Sequence, residues 1–334
     1  MDDNIFHAGE RLVQERTGER GTALINSRSI STGIPAAARN FVGQQRWCIV
    51  GAADAAGALW ACLLSGEPGF VQASDDLRSL QVASSDPQGV LARMAPMADL
   101  QPGQSIAVLL IELQTRRRLR INGYVSQVTA QAFAQTLEVA VGQAFPVCPR
   151  YIQKRELLPL KAEPTSNSST GTDATTGTVL DESTSAWIAG ADTLFIASLG
   201  PSGDADVSHR GGRPGFVQQQ GQVLRIPDFN GNSMFNTLGN LELEPRCGLV
   251  FPDFEGARQL QLTGHARAHF GVEADIDQTG GTGRWIEFQV HSWRSTPLTL
   301  PQRWRLLEAS PYNPLVRGVA SAAFDGPPRS QVTR

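Results

Sequence analysis

The chain lacks every common nucleotide-binding loop. No Gly-x-Gly-x-x-Gly opens a helix after a strand and no Gly-x-x-x-x-Gly-Lys-Ser/Thr occurs, so any phosphate site must be built another way. Cysteine is scarce. Cys48, Cys62, Cys148 and Cys247 are scattered without a Cys-x-x-Cys pair, which excludes a disulfide framework and points to a reducing compartment, the cytoplasm. Long apolar runs are missing too. The longest, Ile106–Ile111, is far short of the roughly 20 residues that span a bilayer and reads as a buried strand. The opening Met1-Asp-Asp-Asn-Ile-Phe-His has neither the basic nor the apolar region of a secretory signal, so export is not expected. A formal charge of -3 and a pI near 6.0 argue against nucleic acid as a partner. His265 and His269 are four apart on a predicted strand, without the Glu or Cys of a zinc motif, so no metal site is expected. No Gly-x-Ser-x-Gly elbow or triad signature supports covalent hydrolysis.

What is present is a chain of 334 residues with 41% hydrophobic and 18% charged residues, enough for two packed domains. It repeats itself. Glu67-Pro-Gly-Phe-Val71 returns as Arg213-Pro-Gly-Phe-Val217, and Arg118-Leu-Arg-Ile-Asn-Gly-Tyr-Val125 as Gln259-Leu-Gln-Leu-Thr-Gly-His-Ala266. The offsets are 146 and 141 residues, a domain duplication rather than a solenoid, whose repeats run about 20 to 50. Each half reads as four strands, a helical stretch (Asp86–Met94 or Ser233–Leu243) and two more strands. Period-2 alternation in Gln259-Leu-Gln-Leu-Thr and Trp285-Ile-Glu-Phe-Gln-Val-His marks half-buried antiparallel strands. Short strands with Gly-rich turns point to small barrels, with peripheral helices over Phe6–Arg16, Gln131–Gly142 and Asp181–Ala189. The expected division is a first barrel over 1–160, a Ser/Thr/Gly-rich linker over 161–178, a second barrel over 179–310 and a Pro/Gly/Ala-rich tail over 311–334.

The most informative stretch is Asp206-Val-Ser-His-Arg-Gly-Gly-Arg-Pro-Gly-Phe-Val217, followed by Gly231-Asn-Ser-Met-Phe-Asn-Thr-Leu-Gly-Asn240. It concentrates cations, glycines and short polar side chains between apolar strands, as a buried anion needs. If Asp206–Arg210 is a strand, Asp206, Ser208 and Arg210 share one face, and Arg210 can offer its fork to a phosphate with Ser208 as second donor. The plainer alternative is a solvated edge strand. The segment from Asn230 leads into a short helix whose free N–H groups, with Asn236 and Thr237, suit an anion, or else form only a backbone cap. Among the arginines, Arg116, Arg118 and Arg120 alternate to one face and Arg117 to the other, either as a solvated strand or reaching across an inter-barrel groove. Cys148-Pro-Arg-Tyr-Ile-Gln153 places Tyr151 and Gln153 on one face, toward a planar ligand or as a structural crossover. Cys148 reads as a packed thiol, with no base nearby.

On these motifs, with Cys148–Arg155, Phe235–Asn240 and Gly248-Leu-Val-Phe-Pro-Asp-Phe254, the chain resembles the pyridoxamine 5'-phosphate oxidase-related FMN-binding split barrels in their tandem form. The resemblance implies a mainly β fold of two Greek-key split barrels with peripheral helices, forming an intrachain pseudo-dimer that holds FMN between them. It implies cofactor contacts from Ser208, His209, Arg210, Asn230, Asn236, Thr237, Asn240, Arg116, Arg118, Tyr151 and Gln153. Asn236 and Thr237 stand where the family's vitamin B6 oxidases carry Ser, Arg or Lys, so pyridoxamine phosphate oxidation itself is not implied. The expected activity is that of an FMN-dependent oxidoreductase, with the redox chemistry on the flavin and His209 or Tyr151 as candidate proton donor. Its partners would be a small-molecule substrate or an electron donor such as NAD(P)H or a reductase, with the chain as a monomer or homodimer. The alternative is a non-catalytic FMN- or haem-binding module.

Overall fold

The computed structural model describes residues 5–85, 91, 94–131, 134–158, 174–272, 276–299 and 301–314. Seven strands, β1 (Trp47–Ala53), β2 (Leu59–Ser65), β3 (Val71–Ala73), β4 (Ser79–Ser85), β5 (Ser105–Glu112), β6 (Arg117–Gln131) and β7 (Ala134–Pro146), form one antiparallel sheet in the order β2-β1-β5-β6-β7-β4-β3. After β8 (Lys154–Leu157) and β9 (Thr175–Gly177) come β10 (Thr193–Leu199), β11 (Ala205–Gly211), β12 (Gln218–Gln220), β13 (Val223–Pro227), β14 (Arg246–Asp253), β15 (Arg258–His269) and β16 (Trp285–Pro297). Their order, β11-β10-β14-β15-β16-β13-β12, repeats the first sheet strand for strand. The fold is therefore mainly β, two tandem split barrels. The helices α1 (Ala8–Thr17), α2 (Arg20–Asn26), α3 (Arg39–Gly43), α4 (Glu182–Gly190) and α5 (Asn236–Leu241) are peripheral, and β17 (Trp304–Glu308) pairs with β8. Among the described residues no helix is long and apolar enough to cross a membrane.

The duplication extends to local irregularities. The register of β6 on β7 slips between Asn122 and Gly123, and that of β15 on β16 between Thr263 and Gly264. A Cβ at Gly123 would lie 2.0 Å from the Ala140 carbonyl oxygen, and one at Gly264 2.0 Å from that of Gln289. The glycine shared by the two repeats is thus required by backbone approach at the same bulge.

Alternation sorts each strand between two cores. In β6, Leu119 and Ile121 point into the first barrel beside Val50 and Leu64, while Leu194, Ile196 and Leu249 fill the second. A third core lies between the barrels, where Trp47, Ile49, Leu63 and Leu109 meet Phe195, Val207 and Val250. Here the edge strand β2 lies across β14 and β15, and its counterpart β11 lies across β5 and β6. Arg118 and Arg120 sit on the outer face of β6 opposite Ile111 and Leu109, so they point toward the second barrel.

Two expectations are corrected. The stretch Gln131–Gly142 is not a helix but largely β7, because Leu137 and Val139 alternate into the first core and the β-branched residues favour the pleat. Each half has three strands after its helical stretch, β5 to β7 and β14 to β16, one more than the sequence pattern predicts. The end of the 161–178 linker is ordered, since β9 pairs with β16 and Gly177 lies against the Trp293 indole, which a Cβ would meet at 2.7 Å. The rest of that linker up to residue 173, most of Asp86–Met94 and the tail from residue 315 lie outside the described residues. The helix expected over Phe6–Arg16 is α1, opened by a capping box between His7 and Glu10. The one over Asp181–Ala189 is α4, with the Asp181 carboxylate accepting from Thr184 N at 2.8 Å.

Candidate functional site: an arginine-lined cleft between the barrels

Where β11 crosses the first barrel, a cleft opens between β6, the Cys148–Tyr151 segment, β11 and the loop entering α5. The cleft is partly open to solvent and offers a cavity of ≈ 100 Å³. That space suits a phosphate-sized group rather than a whole nucleotide. Four guanidinium groups line the cleft, those of Arg118, Arg120, Arg150 and Arg210, against one carboxylate, Asp228.

Each arginine is held differently. Arg120 is buried, pairs with the buried Asp206 carboxylate at 2.9 Å, and donates to Ser208 Oγ at 2.6 Å and Asn236 Oδ1 at 2.9 Å. Thr237 Oγ1 in turn donates to Ser208 Oγ at 3.0 Å. Arg210 pairs with Asp228, which also accepts from Arg284 Nε at 2.8 Å. Arg118 donates to the Cys148 carbonyl oxygen and has no carboxylate partner among the described residues. Burial, with Arg120 and Arg210 adding repulsion, lowers its pKa to about 9.

The donors outnumber the acceptors. The Nε atoms of Arg118, Arg120 and Arg210 and Nε2 of His209 are buried without a hydrogen-bond partner. The three arginine Nε–H groups are orphaned donors, which are costly, and the excess of guanidinium charge around the cleft favours an anion there. Burial and then the charges of Arg118, Arg210 and Arg155 hold His209 well below the usual imidazole range, so it is neutral. The Tyr151 phenol is pushed up by burial and donates to the Asn230 carbonyl oxygen at 3.0 Å. Backbone strain collects here as well, because Tyr151, Ser233 and Phe235 line the cleft at φ of 66°, 62° and 60°.

The structure brings Ser208, His209, Arg210, Asn236, Thr237, Arg118 and Tyr151 to the lining. Asn236 is already engaged at both ends, its Oδ1 accepting from Arg120 and its Nδ2 donating to Glu10. The remaining expected residues lie outside the lining. Asn240 donates to Ser198 Oγ and accepts from His7. Arg116 donates to the Ile152 carbonyl oxygen at 2.9 Å. Gln153 donates to Gly212 O and accepts from Ser310 N. Asn230 contributes its carbonyl to Tyr151. Since α5 has only six residues and no side-chain cap, its dipole adds little and the donors are side chains. Sequence reasoning missed Asp228, Arg284 and Glu10, which are single charges without a motif. Arg150 lay within the Cys148–Gln153 motif, but alternation drew attention to Tyr151 instead.

On the other side of the duplication, among the described residues, the positions equivalent to the cleft arginines are used to bind backbone. Gln259 and Gln261 occupy on β15 the places that Arg118 and Arg120 hold on β6. Gln259 accepts from Leu63 N at 2.7 Å and donates to Leu63 O at 3.0 Å, while Gln261 donates to Ala61 O at 2.8 Å and Ala95 O at 2.6 Å. They close the free edge of β2, where Trp60, Cys62 and Leu64 replace Asp206, Ser208 and Arg210.

No family model and no curated protein matches the chain. Solved structures similar to parts of it include a putative pyridoxamine 5'-phosphate oxidase from Lactobacillus delbrueckii, with a TM-score of 0.29 and 11% identity over 35% of this chain and 94% of that one. A FAD binding protein from Mycobacterium smegmatis has a TM-score of 0.26 and 10% identity over 39% and 100%. HutZ, a heme storage protein from Vibrio cholerae, has 0.25 and 14% over 34% and 89%. Scores and identities this low bear on neither ligand nor activity, which rest on the cleft itself.

Proposed function

We propose that the cleft binds the phosphate of FMN and that the protein is an FMN-dependent oxidoreductase. The observation that supports this most is the set of buried, unpartnered Nε atoms on Arg118, Arg120 and Arg210 beside the Ser208 and Thr237 hydroxyls. These residues would hold the phosphate, and Tyr151 and Phe229, with ring centroids 5.1 Å apart, supply an aromatic wall. The flavin, when bound, supplies hydride and electron transfer. The chain's own residues bind and orient. A neutral His209 can donate or accept one hydrogen bond but holds no imidazolium proton at neutral pH, and Tyr151 keeps its phenolic proton. The electron donor in this reading is a small molecule such as NAD(P)H, or a reductase. The purified protein is expected to be yellow and to release FMN on denaturation. A colourless protein that gives no calorimetric heat with FMN refutes the reading.

A second reading, a haem-binding module, draws on one observation, the neutral His209 with its unpartnered Nε2, a ready iron ligand. It predicts a haem absorption band that His209→Ala abolishes, in place of FMN release.

Arginine replacements test the phosphate site directly. Arg118→Ala and Arg210→Ala are each expected to weaken FMN binding roughly tenfold to a hundredfold, for a lost charge-assisted hydrogen bond of about 1.5 to 3 kcal/mol. Neither leaves a buried carboxylate alone, since Arg118 has none and Asp228 keeps Arg284. Arg213, exposed and outside the lining, is the control. Equal affinities for Arg210→Ala and Arg213→Ala in fluorescence titration would show that Arg210 does not bind the ligand.

A further inference from the structure

The carboxyl of Glu10 is almost fully buried, 5% exposed, on a helix from the far end of the sequence. Helix α1 reaches the cleft because two glycines let it touch α5. A Cβ on Gly9 would lie 2.1 Å from the Gly239 carbonyl oxygen, and one on Gly239 2.5 Å from the Glu10 backbone. At this crossing Glu10 Oε1 accepts from Asn236 Nδ2 and Oε2 from the His7 backbone N–H at 2.9 Å. Asn236 Oδ1 accepts from Arg120 Nη1 at 2.9 Å. One amide thus bridges a buried carboxyl and a cleft arginine, and with an acceptor needed on one side and a donor on the other its orientation is fixed.

We propose that Glu10 is a positioning residue for the anion site: through Asn236 it holds the Arg120 guanidinium, and an anion seated on that guanidinium is bound together with a proton taken up by the Glu10 carboxyl. This rests on the reading of the cleft as a phosphate site. The groups facing Glu10 are His7, the residue capping α1, with its ring Nε2 3.6 Å from Oε2, Asn236 on α5, Asp206 on β11 and Arg120 on β6. Burial first, and Asp206 to a lesser degree, raise the Glu10 pKa to about 7, against the opposing hydrogen bonds and Arg120. Glu10 is therefore divided between neutral and charged forms at neutral pH. A second negative charge on Arg120 repels the carboxylate and competes for the same guanidinium, favouring the neutral form. Linkage gives the sign: binding takes up a proton, so this contribution is full below about pH 7 and is lost as pH rises through the carboxyl's range in the complex.

The test is calorimetric titration of the full chain with FMN at pH 8, in buffers of different ionisation enthalpy, for wild type and Glu10→Gln. Wild type is expected to take up a fraction of a proton per FMN and Glu10→Gln close to none. Between pH 7 and 9 the affinity of wild type should fall roughly threefold to fivefold more than that of the variant, fivefold being the effect over that range of a carboxyl pKa that FMN raises from about 7 to about 8. Both chains see the same ligand, His7 and arginines, so the difference isolates Glu10. Should the variant fail to fold, carbon NMR of the glutamate carboxyls in wild type decides, because the Glu10 signal must titrate at higher pH with FMN than without. Equal uptake in the two chains, or an unmoved Glu10 titration, overturns the coupling alone. Failure of both FMN and inorganic phosphate to bind at any pH overturns the phosphate site and the coupling with it.

Discussion

Arg120→Ala is expected to destabilise the protein by about 3 to 5 kcal/mol, the usual cost of leaving one partner of a buried ion pair alone. Both members are almost fully enclosed, Arg120 at 3% and Asp206 at 4% exposure. Truncation strips Asp206 of its cation and removes donors from Ser208 Oγ and Asn236 Oδ1 as well. Asp206→Ala alone leaves the guanidinium with Ser208 and Asn236 and beside a cleft suited to anions, so it should cost less. The double replacement should cost less than the sum of the two, because the orphaned carboxylate is gone. Urea denaturation of the four chains reads these differences. A loss below about 1 kcal/mol for Arg120→Ala would mean that water or a rearranged cation satisfies Asp206, and the account of a rigid, charged cleft would fail.

One FMN per chain, with complete loss of binding by the segment from Asp181 onward, is the second large expectation. The cleft takes Ser208, Arg210 and Thr237 from the second half but Arg118 and Arg120 from the first, and two lost charge-assisted contacts amount to a factor of about a hundred or more. On the opposite side Gln259 and Gln261 spend their amides on the backbone of β2 and Ala95, so these counterparts of Arg118 and Arg120 offer a phosphate neither a charge nor a free donor. Titration of the apoprotein to two equivalent sites would overturn the asymmetry. Full binding by the truncated chain would overturn the shared site.

Much of this was legible in the sequence because it is local. Period-2 alternation put Arg116, Arg118 and Arg120 on one face of a strand, and likewise Asp206, Ser208 and Arg210, and the strands bear this out except for Arg116, which sits in the turn before β6 at φ 57°. The repeat predicted the second sheet from the first. Gln131–Gly142 misled because Ala, Gln, Leu and Glu are good helix formers. The signal against a helix was Leu137, Val139 and Val141 at every second position. Glu10 was beyond reach, since it meets Asn236 across 226 residues and nothing in its neighbourhood marks it as more than the N3 residue of a helix cap. Asp228 and Arg284 were hidden for the same reason: a buried ion pair between distant single charges leaves no spacing to read. The loss of charge on the other side could have been seen by setting Gln259 and Gln261 over Arg118 and Arg120 and asking what each can donate to.

The last strands of the two halves, β8 and β17, pair with each other outside the two large sheets. Trp304, Arg305 and Leu306 pair with Leu157, Glu156 and Arg155, and Leu158 N donates to Arg303 O at 2.9 Å. Just upstream, Thr299 and Gln302 bond the backbone of Ser65, Arg46 and Gly66 in the first barrel. From the opposite end α1 lies on α5, with Val13 in the second barrel's core. Each half therefore wears an arm of the other, and these contacts join the halves independently of the link between them. A chain cut between Leu158 and Ala174 should survive as two interlocked fragments that copurify and can be reassembled from separately produced pieces, so the protein would serve as a two-part complementation pair.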